Sequence, residues 1–347
     1  MRPVRVLVGI LPLLTAASHG CGAARGPGSV EDLRVVAPEL QWPTAPDPPR
    51  IRYVGAFAKP SDLGVRRNVV RRVVDALTGR SEPRISQPFA IAVDTAGRIF
   101  VTDMRARGVH IFDVRHHAYE FLSRVGRLAL RSPTGIATDG AGSLYMADSE
   151  LGMVIAVDEN RRERWRLPGL QRPTGLALSP SEPVLYVVET QGHRVHVVST
   201  ATGLAEGSFG LRGDQPGEFN FPTNVTVGVD GEVYITDSMN FRVQMFGSHG
   251  EFVAQFGRPG DAVGDLARPK GIGLDSEGHI YVVDGLYDVV NIYSRTGRIL
   301  LSFGGAGHAA GQFWLAVGLT MDSQDRIYVA DSFNARVQVF EYLRVRP

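Results

Sequence analysis

The stretch "YITDSMNFRVQMF", Tyr234 to Phe246, returns 94 residues later as "YVADSFNARVQVF", Tyr328 to Phe340. Each copy alone is too short to bury a core, so the duplication points to a structural unit stacked against others of its kind. Working outward, the same frame recurs six times. Its acidic residue falls at Asp103, Asp148, Glu189, Asp237, Asp284 and Asp331, at intervals of 45, 41, 48, 47 and 47 residues. A proline stands 15 residues before that acid in four units (Pro88, Pro133, Pro222, Pro269) and 16 before it in one (Pro173), with Ala316 taking the place in the last. Two residues after the proline comes glycine in most units (Gly135, Gly175, Gly271, Gly318), with Ala90 and Asn224 as exceptions.

Strand signals inside each unit are short and evenly punctuated. In the fifth, "GIGLD", "HIYVVD", "VVNIYS" and "RILLSFG" are strands separated by "SEG", "GLYD" and "RTG". Four short antiparallel strands in about 45 residues make a propeller blade. The expected fold is therefore all-β, a six-bladed β-propeller of four-stranded antiparallel blades. Ala92, Ala137, Ala177, Thr226, Gly273 and Thr320 share one position on the innermost strand, where six sheets converge and only small side chains fit. The last unit ends at its third strand, "ARVQVFEYL", and residues 51 to 57, "IRYVGAF", match the missing fourth. The N-terminal strand is expected to complete the C-terminal blade, because a ring left open exposes unpaired backbone groups.

The runs "FGLRGDQPGEFNFPTNVTVGVDGEVYITD", "FGRPGDAVGDLARPKGIGLDSEGHIYVVD" and "FGGAGHAAGQFWLAVGLTMDSQDRIYVAD", with D-S-x-N-x-R-V-Q in units four and six, resemble the NHL repeat over about residues 51 to 343. The resemblance implies the propeller fold. It leaves function open, since that fold hosts protein binders, RNA binders and a few enzymes.

The chain has 347 residues and a net charge of +1 from 37 basic and 36 acidic side chains, so no global field draws it to nucleic acid or an anionic membrane. All but two of the basic residues, Lys59 and Lys270, are Arg. The N-terminus, "MRPVRVLVGILPLLTAASHGCG", places Arg2 and Arg5 before an apolar run and small residues, which reads as a secretory signal over 1–20. The only cysteine, Cys21, follows at once and resembles a bacterial lipoprotein's lipidation site; release as a free secreted protein is the alternative. One cysteine permits no internal disulfide and no cysteine-rich zinc site. Residues 21–50, with "PTAPDPPR", read as a flexible tether ahead of a propeller over 51–347. Within it, residues 60–86 form a helical insertion: Val65, Val69, Val73 and Leu77 share one face and Arg66, Arg67 and Arg71 the other. That amphipathic helix is expected to cover one propeller face, with a membrane surface or a partner as other destinations.

Six carboxylates on one face suggest a metal ring, but an Asp at every strand end has a simpler use in accepting backbone N–H bonds. A ligand set has to break the repeat. Glu189 and Asn224 do so, and with Asp237 they form a candidate Ca²⁺ site, since six-bladed lactonase-like enzymes hold calcium in such a channel with Glu, Asn and Asp. His193 and His308 fall on the channel-mouth face in different blades, and no third His joins them; His110 and His196 occupy the strand position of Gln244 and Gln338 and read as blade filler, while Arg194, Arg242 and Arg336 read as structural pairing. The mouth loops carry Arg105, Arg212, Phe219, Phe241, Arg258, Tyr287, Phe313, Trp314 and Phe333, of the Arg and aromatic types that anchor interfaces. Arg105, Arg212, Phe241, Tyr287, Trp314 and Phe333 are the ligand-binding candidates. The functional expectation is a monomeric cell-envelope module, anchored to a membrane through Cys21, that binds a protein or small ligand and no nucleic acid. The alternative is a lactonase- or lyase-like enzyme that uses Ca²⁺ or Zn²⁺ in the central channel.

Overall fold

In the computed structural model, which describes residues 39–65 and 81–344, each repeat unit forms one antiparallel sheet. Blade one runs Pro88–Val93, Arg98–Asp103, Gly108–Asp113 and Ala118–Leu122. Blades two to five begin at Pro133, Pro173, Pro222 and Pro269 and repeat the four-strand meander. The innermost strands touch in cyclic order from blade one through blade six and back to blade one, so the ring is closed. Proline opens five of these strands, where its missing N–H costs no ladder bond.

Blade six is composite, as expected. Its sheet runs Ala316–Met321, Arg326–Asp331, Arg336–Tyr342 and then Ile51–Phe57, which pairs antiparallel with Arg336–Tyr342 from Ile51 opposite Tyr342 to Phe57 opposite Val337. Strand 51–57 alternates in the manner of a half-covered sheet, with Ile51, Tyr53 and Phe57 buried. Tyr53 meets Phe340 edge-on at 5.4 Å and Phe57 meets Phe112 of blade one at 5.3 Å, so the strand closes its own blade and grips the next.

The tether expected over residues 21–50 is corrected at its end. Gln41–Trp42 adds a fifth strand to blade six by pairing with Ile51–Arg52, and Trp42 packs on Phe303 and Phe340. A single large indole over an apolar seam outweighs the local Pro-rich composition. Of the helical insertion expected over 60–86, residues 66–80 lie outside the described residues. Of the insertion's flanks, Pro60–Leu63 is a short 3₁₀ turn, and Leu63, Val65 and Ile85 join the core beside Phe57.

The innermost glycines exist for clearance. A Cβ on Gly135 would stand 1.9 Å from the Thr174 carbonyl oxygen, and one on Gly318 would stand 2.2 Å from that of Phe89. Neighbouring blades touch there through backbone. The small residues Ala92, Ala137, Ala177, Thr226, Gly273 and Thr320 line the central channel as expected.

Candidate functional site

The acidic ring holds the loops of the mouth face in place. Asp148 accepts the N–H groups of Arg131 and Ser132 at 2.7 and 3.1 Å and those of Glu150 and Leu151 at 3.2 and 3.0 Å, so one carboxylate ties together two loops of its blade. Asp284 repeats the pattern with Ala267, Arg268, Leu286 and Tyr287. All six acids are buried. The residue read as blade filler supplies a further donor: Gln244 reaches Asp237, Gln338 reaches Asp331, His196 reaches Glu189 at 2.8 Å and His110 reaches Asp103 at 3.2 Å. Arg242 and Arg336 bind Asp237 and Asp331, then spread over the carbonyls of Gln215 and Glu218, and of Ala309 and Gln312. Burial alone would push the Asp103 carboxyl up, but bonds from His110 and the Ala106 and Ser86 N–H groups hold it below the usual carboxylate range. At Asp237 burial prevails and its carboxyl is raised despite Asn220, Asn240 and Arg242.

The candidate metal residues each have protein partners. Asn224 lines the channel, where its Oδ1 accepts the Val225 N–H at 2.9 Å, whereas Glu189 and Asp237 face blade interiors and are occupied by donors. Among the described residues no group of three or more His, Cys, Asp or Glu has the geometry to hold a metal ion. His193 is buried against Phe219 O and the Phe221 ring, and His308 bonds Asn334. The channel itself encloses about 290 Å³ and is lined by apolar side chains, glycines, threonines and Asn224, with no titratable group in its wall. As described, that wall offers neither acid nor base.

The mouth face is more informative. One side chain per blade, two residues past the ring acid, points outward: Arg105, Glu150, Gln191, Met239, Leu286 and Phe333, all exposed. The ring is polar over blades one to three and apolar over blades four to six. Beside Phe333 stands Trp314, edge-on at 5.5 Å, and His308 meets the same indole at 4.9 Å; Tyr287 lies exposed in blade five. The structure thus pairs Trp314 with Phe333 in blade six and leaves Tyr287 exposed in blade five and Arg105 in the adjoining blade one. Arg212 is exposed at the start of the loop from blade three to blade four. Phe241 has a left-handed backbone (φ 56°), and its half-buried ring packs against the apolar cluster of blades four and five. Phe219 and Phe313 are fully buried plugs between blades, and Arg258 is tied to Asp265 at 2.6 Å. Sequence reasoning missed Met239 and Leu286, although their register, two residues past the acid, was legible.

Comparison with known proteins agrees with the fold. The model of the NHL repeat matches residues 219–246 and 313–340. A human protein, E3 ubiquitin-protein ligase NHLRC1, is 33% identical over 82 residues, which span 24% of this chain and 20% of that protein. Among solved structures, an auxiliary nutrient binding protein from Bacteroides thetaiotaomicron superposes with a TM-score of 0.60 at 12% identity, covering 75% of this chain and 70% of the other. Virginiamycin B lyase from Staphylococcus aureus superposes with a TM-score of 0.56 at 13% identity, covering 74% and 96%. These likenesses concern the fold alone. The chain is a six-bladed β-propeller in which two segments match the NHL repeat.

Proposed function

We propose that the chain is an exported binding module, held at a membrane through a lipid on Cys21, that engages a protein partner on the mouth face of blades four to six. The observation that carries this reading is the graded ring: Met239, Leu286 and Phe333 at equivalent positions, with Trp314 and Tyr287 in the same blades, are exposed and apolar where blades one to three carry Arg105, Glu150 and Gln191. Contiguous exposed apolar groups flanked by polar ones mark interaction sites, and Trp and Tyr supply most of the energy at such sites. The repeat supplies identical scaffolding in every blade, so a departure confined to three neighbouring blades has no structural use there. The N-terminal signal motif supports export and leaves lipidation to be tested by Cys21→Ala, which should move the protein from the membrane fraction to the soluble one.

The face is tested by capture from envelope extract with quantitative mass spectrometry, using the native chain, Leu286→Ser/Phe333→Ser and, as control, Val229→Ser on the opposite face. A partner retained by the native and control chains and lost by the double variant supports the proposal. Equal recovery by all three overturns it.

A further inference from the structure

The terminal strand of a sheet presents backbone N–H and C=O groups that no neighbouring strand takes up. In this ring the innermost strand is the terminal strand of every sheet, so six such edges face one another across the central channel. Register decides which groups turn inward. In blade one the Asp94 N–H donates to Arg98 O at 3.1 Å across the first turn, and in blade four the Gly228 N–H donates to Glu232 O at 2.8 Å; an equivalent bond closes this turn in the other four blades. Bonded pairs alternate along an antiparallel ladder, so the next are Ala92 with Phe100 and Thr226 with Tyr234. The residues in between direct their N–H and C=O away from the second strand. Ile91, Ile136, Leu176, Val225, Ile272 and Leu319 therefore set one ring of six donors and six acceptors around the lumen, and the last residue of each innermost strand sets another.

Blade four departs from its neighbours at this ring. Asn224 Oδ1 accepts the Val225 N–H at 2.9 Å, a bond open only to an N–H turned off the ladder. The other blades carry Gly or Ala at the Asn224 position. With Oδ1 engaged, the Asn224 NH2 has no protein acceptor among the described residues, and it is the only side-chain amide in the channel wall as described. Thr226 and Thr320 add hydroxyl groups to the same wall. The far end of the lumen is open, since Val93, Thr138, Leu178, Val227, Leu274 and Met321 are all half-buried there. At about 30 Å³ per water in the liquid, the enclosed 290 Å³ has the capacity of about ten waters, which is the scale of a monosaccharide. A charged ligand entering this wall loses its hydration and finds no counter-charge, whereas a hydroxyl group both donates and accepts, as alternating N–H and C=O require.

We propose that the central channel binds a small uncharged polyhydroxylated ligand of monosaccharide size, held by the inward backbone groups of the innermost strands and oriented by the Asn224 amide. Pockets of this kind take their specificity from a few placed polar groups, backbone N–H and C=O among them. The rings repeat around the channel, so by themselves they hold a ligand in several orientations. Asn224 breaks that equivalence: it removes one backbone donor from the ring and puts an NH2 in its place. Loss of that donor leaves a ligand hydroxyl without its partner and corresponds to about a tenfold loss in affinity.

The test titrates the full chain with D-glucose, D-xylose and myo-inositol, and with D-glucuronate and protonated D-glucosamine as charged counterparts, and reads binding by saturation-transfer difference NMR. Saturable transfer to at least one neutral compound, with both charged counterparts silent, supports the proposal. No saturable transfer to any neutral compound, or transfer to a charged counterpart as strong as to glucose, overturns it. Two kinds of variant then locate the site. Thr226→Leu fills the lumen and should abolish binding; Thr320→Leu repeats the test from blade six, so the outcome does not depend on how one variant folds. Binding retained by a lumen-filling variant whose melt matches that of the native chain places the ligand elsewhere and overturns the proposal. Asn224→Ala, which gives blade four the side chain that Ala90 gives blade one, should weaken binding about tenfold, and unchanged affinity there overturns the role of Asn224. No partner protein enters these measurements, so the channel site and the protein-binding mouth face succeed or fail separately.

Discussion

A chain that begins at residue 58 lacks the strand that closes the ring, and the consequence can be worked from the contacts. Ile51, Tyr53 and Phe57 are each at most 5% exposed, and burying side chains of this size contributes about 1.5–3 kcal/mol each. The ladder to Arg336–Tyr342 adds several backbone bonds at about 1 kcal/mol each. Trp42, which packs over Phe303 and Phe340, is lost with them. Together these approach the whole stability of an ordinary domain, about 5–15 kcal/mol. A smaller perturbation gives a measurable fraction: Ile51→Ala should cost about 2–5 kcal/mol, which at roughly 2–4 °C per kcal/mol lowers Tm by about 4–20 °C. Thermal melts followed by near-ultraviolet circular dichroism, with light scattering to detect pairing through the exposed edge of Arg336–Tyr342, read both variants. A truncated chain that melts where the full chain does and stays monodisperse would refute the closure argument. Restoration of the melt by a peptide spanning residues 39–57 would confirm that the lost strand is the cause.

Gly135→Ala should destabilise the propeller by about 1–3 kcal/mol or more, since the added methyl meets the Thr174 carbonyl rather than a side chain that can move away; urea denaturation reads it, and an unchanged midpoint would contradict the close approach. Asp103 makes a pH prediction. Its folded carboxyl lies below the usual carboxylate range, so its stabilisation is complete above that range and is lost as pH falls through it toward the lowered folded value. Asp103→Asn should therefore cost stability at pH 7 and flatten the acid side of a plot of urea midpoint against pH; an equally steep acid limb would contradict the role given to His110 and the two backbone donors.

The fold was legible because the repeat states it six times over, with the acid in every unit and the proline and inner glycine in most of them. The acidic ring's role was legible for the same reason: a residue present in every blade answers a need present in every blade. Trp42 was hidden because a two-residue strand has no periodicity, and its Pro-rich surroundings carry the opposite signal. The packing of Phe241 was hidden because it follows from a left-handed backbone at a non-glycine residue, which local sequence does not announce. Glu189 and Asp237 were candidate ligands by position alone, and only the hydrogen-bond inventory reveals that their oxygens are engaged.

The most direct test of the mouth-face account places a photo-reactive amino acid at position 286 in one chain and at position 229 in another. Both positions are exposed and lie in the same propeller on opposite faces. Irradiation in envelope membranes should give a discrete covalent adduct from position 286 and none from position 229; an adduct from position 229 alone, or equal labelling from both, would contradict it.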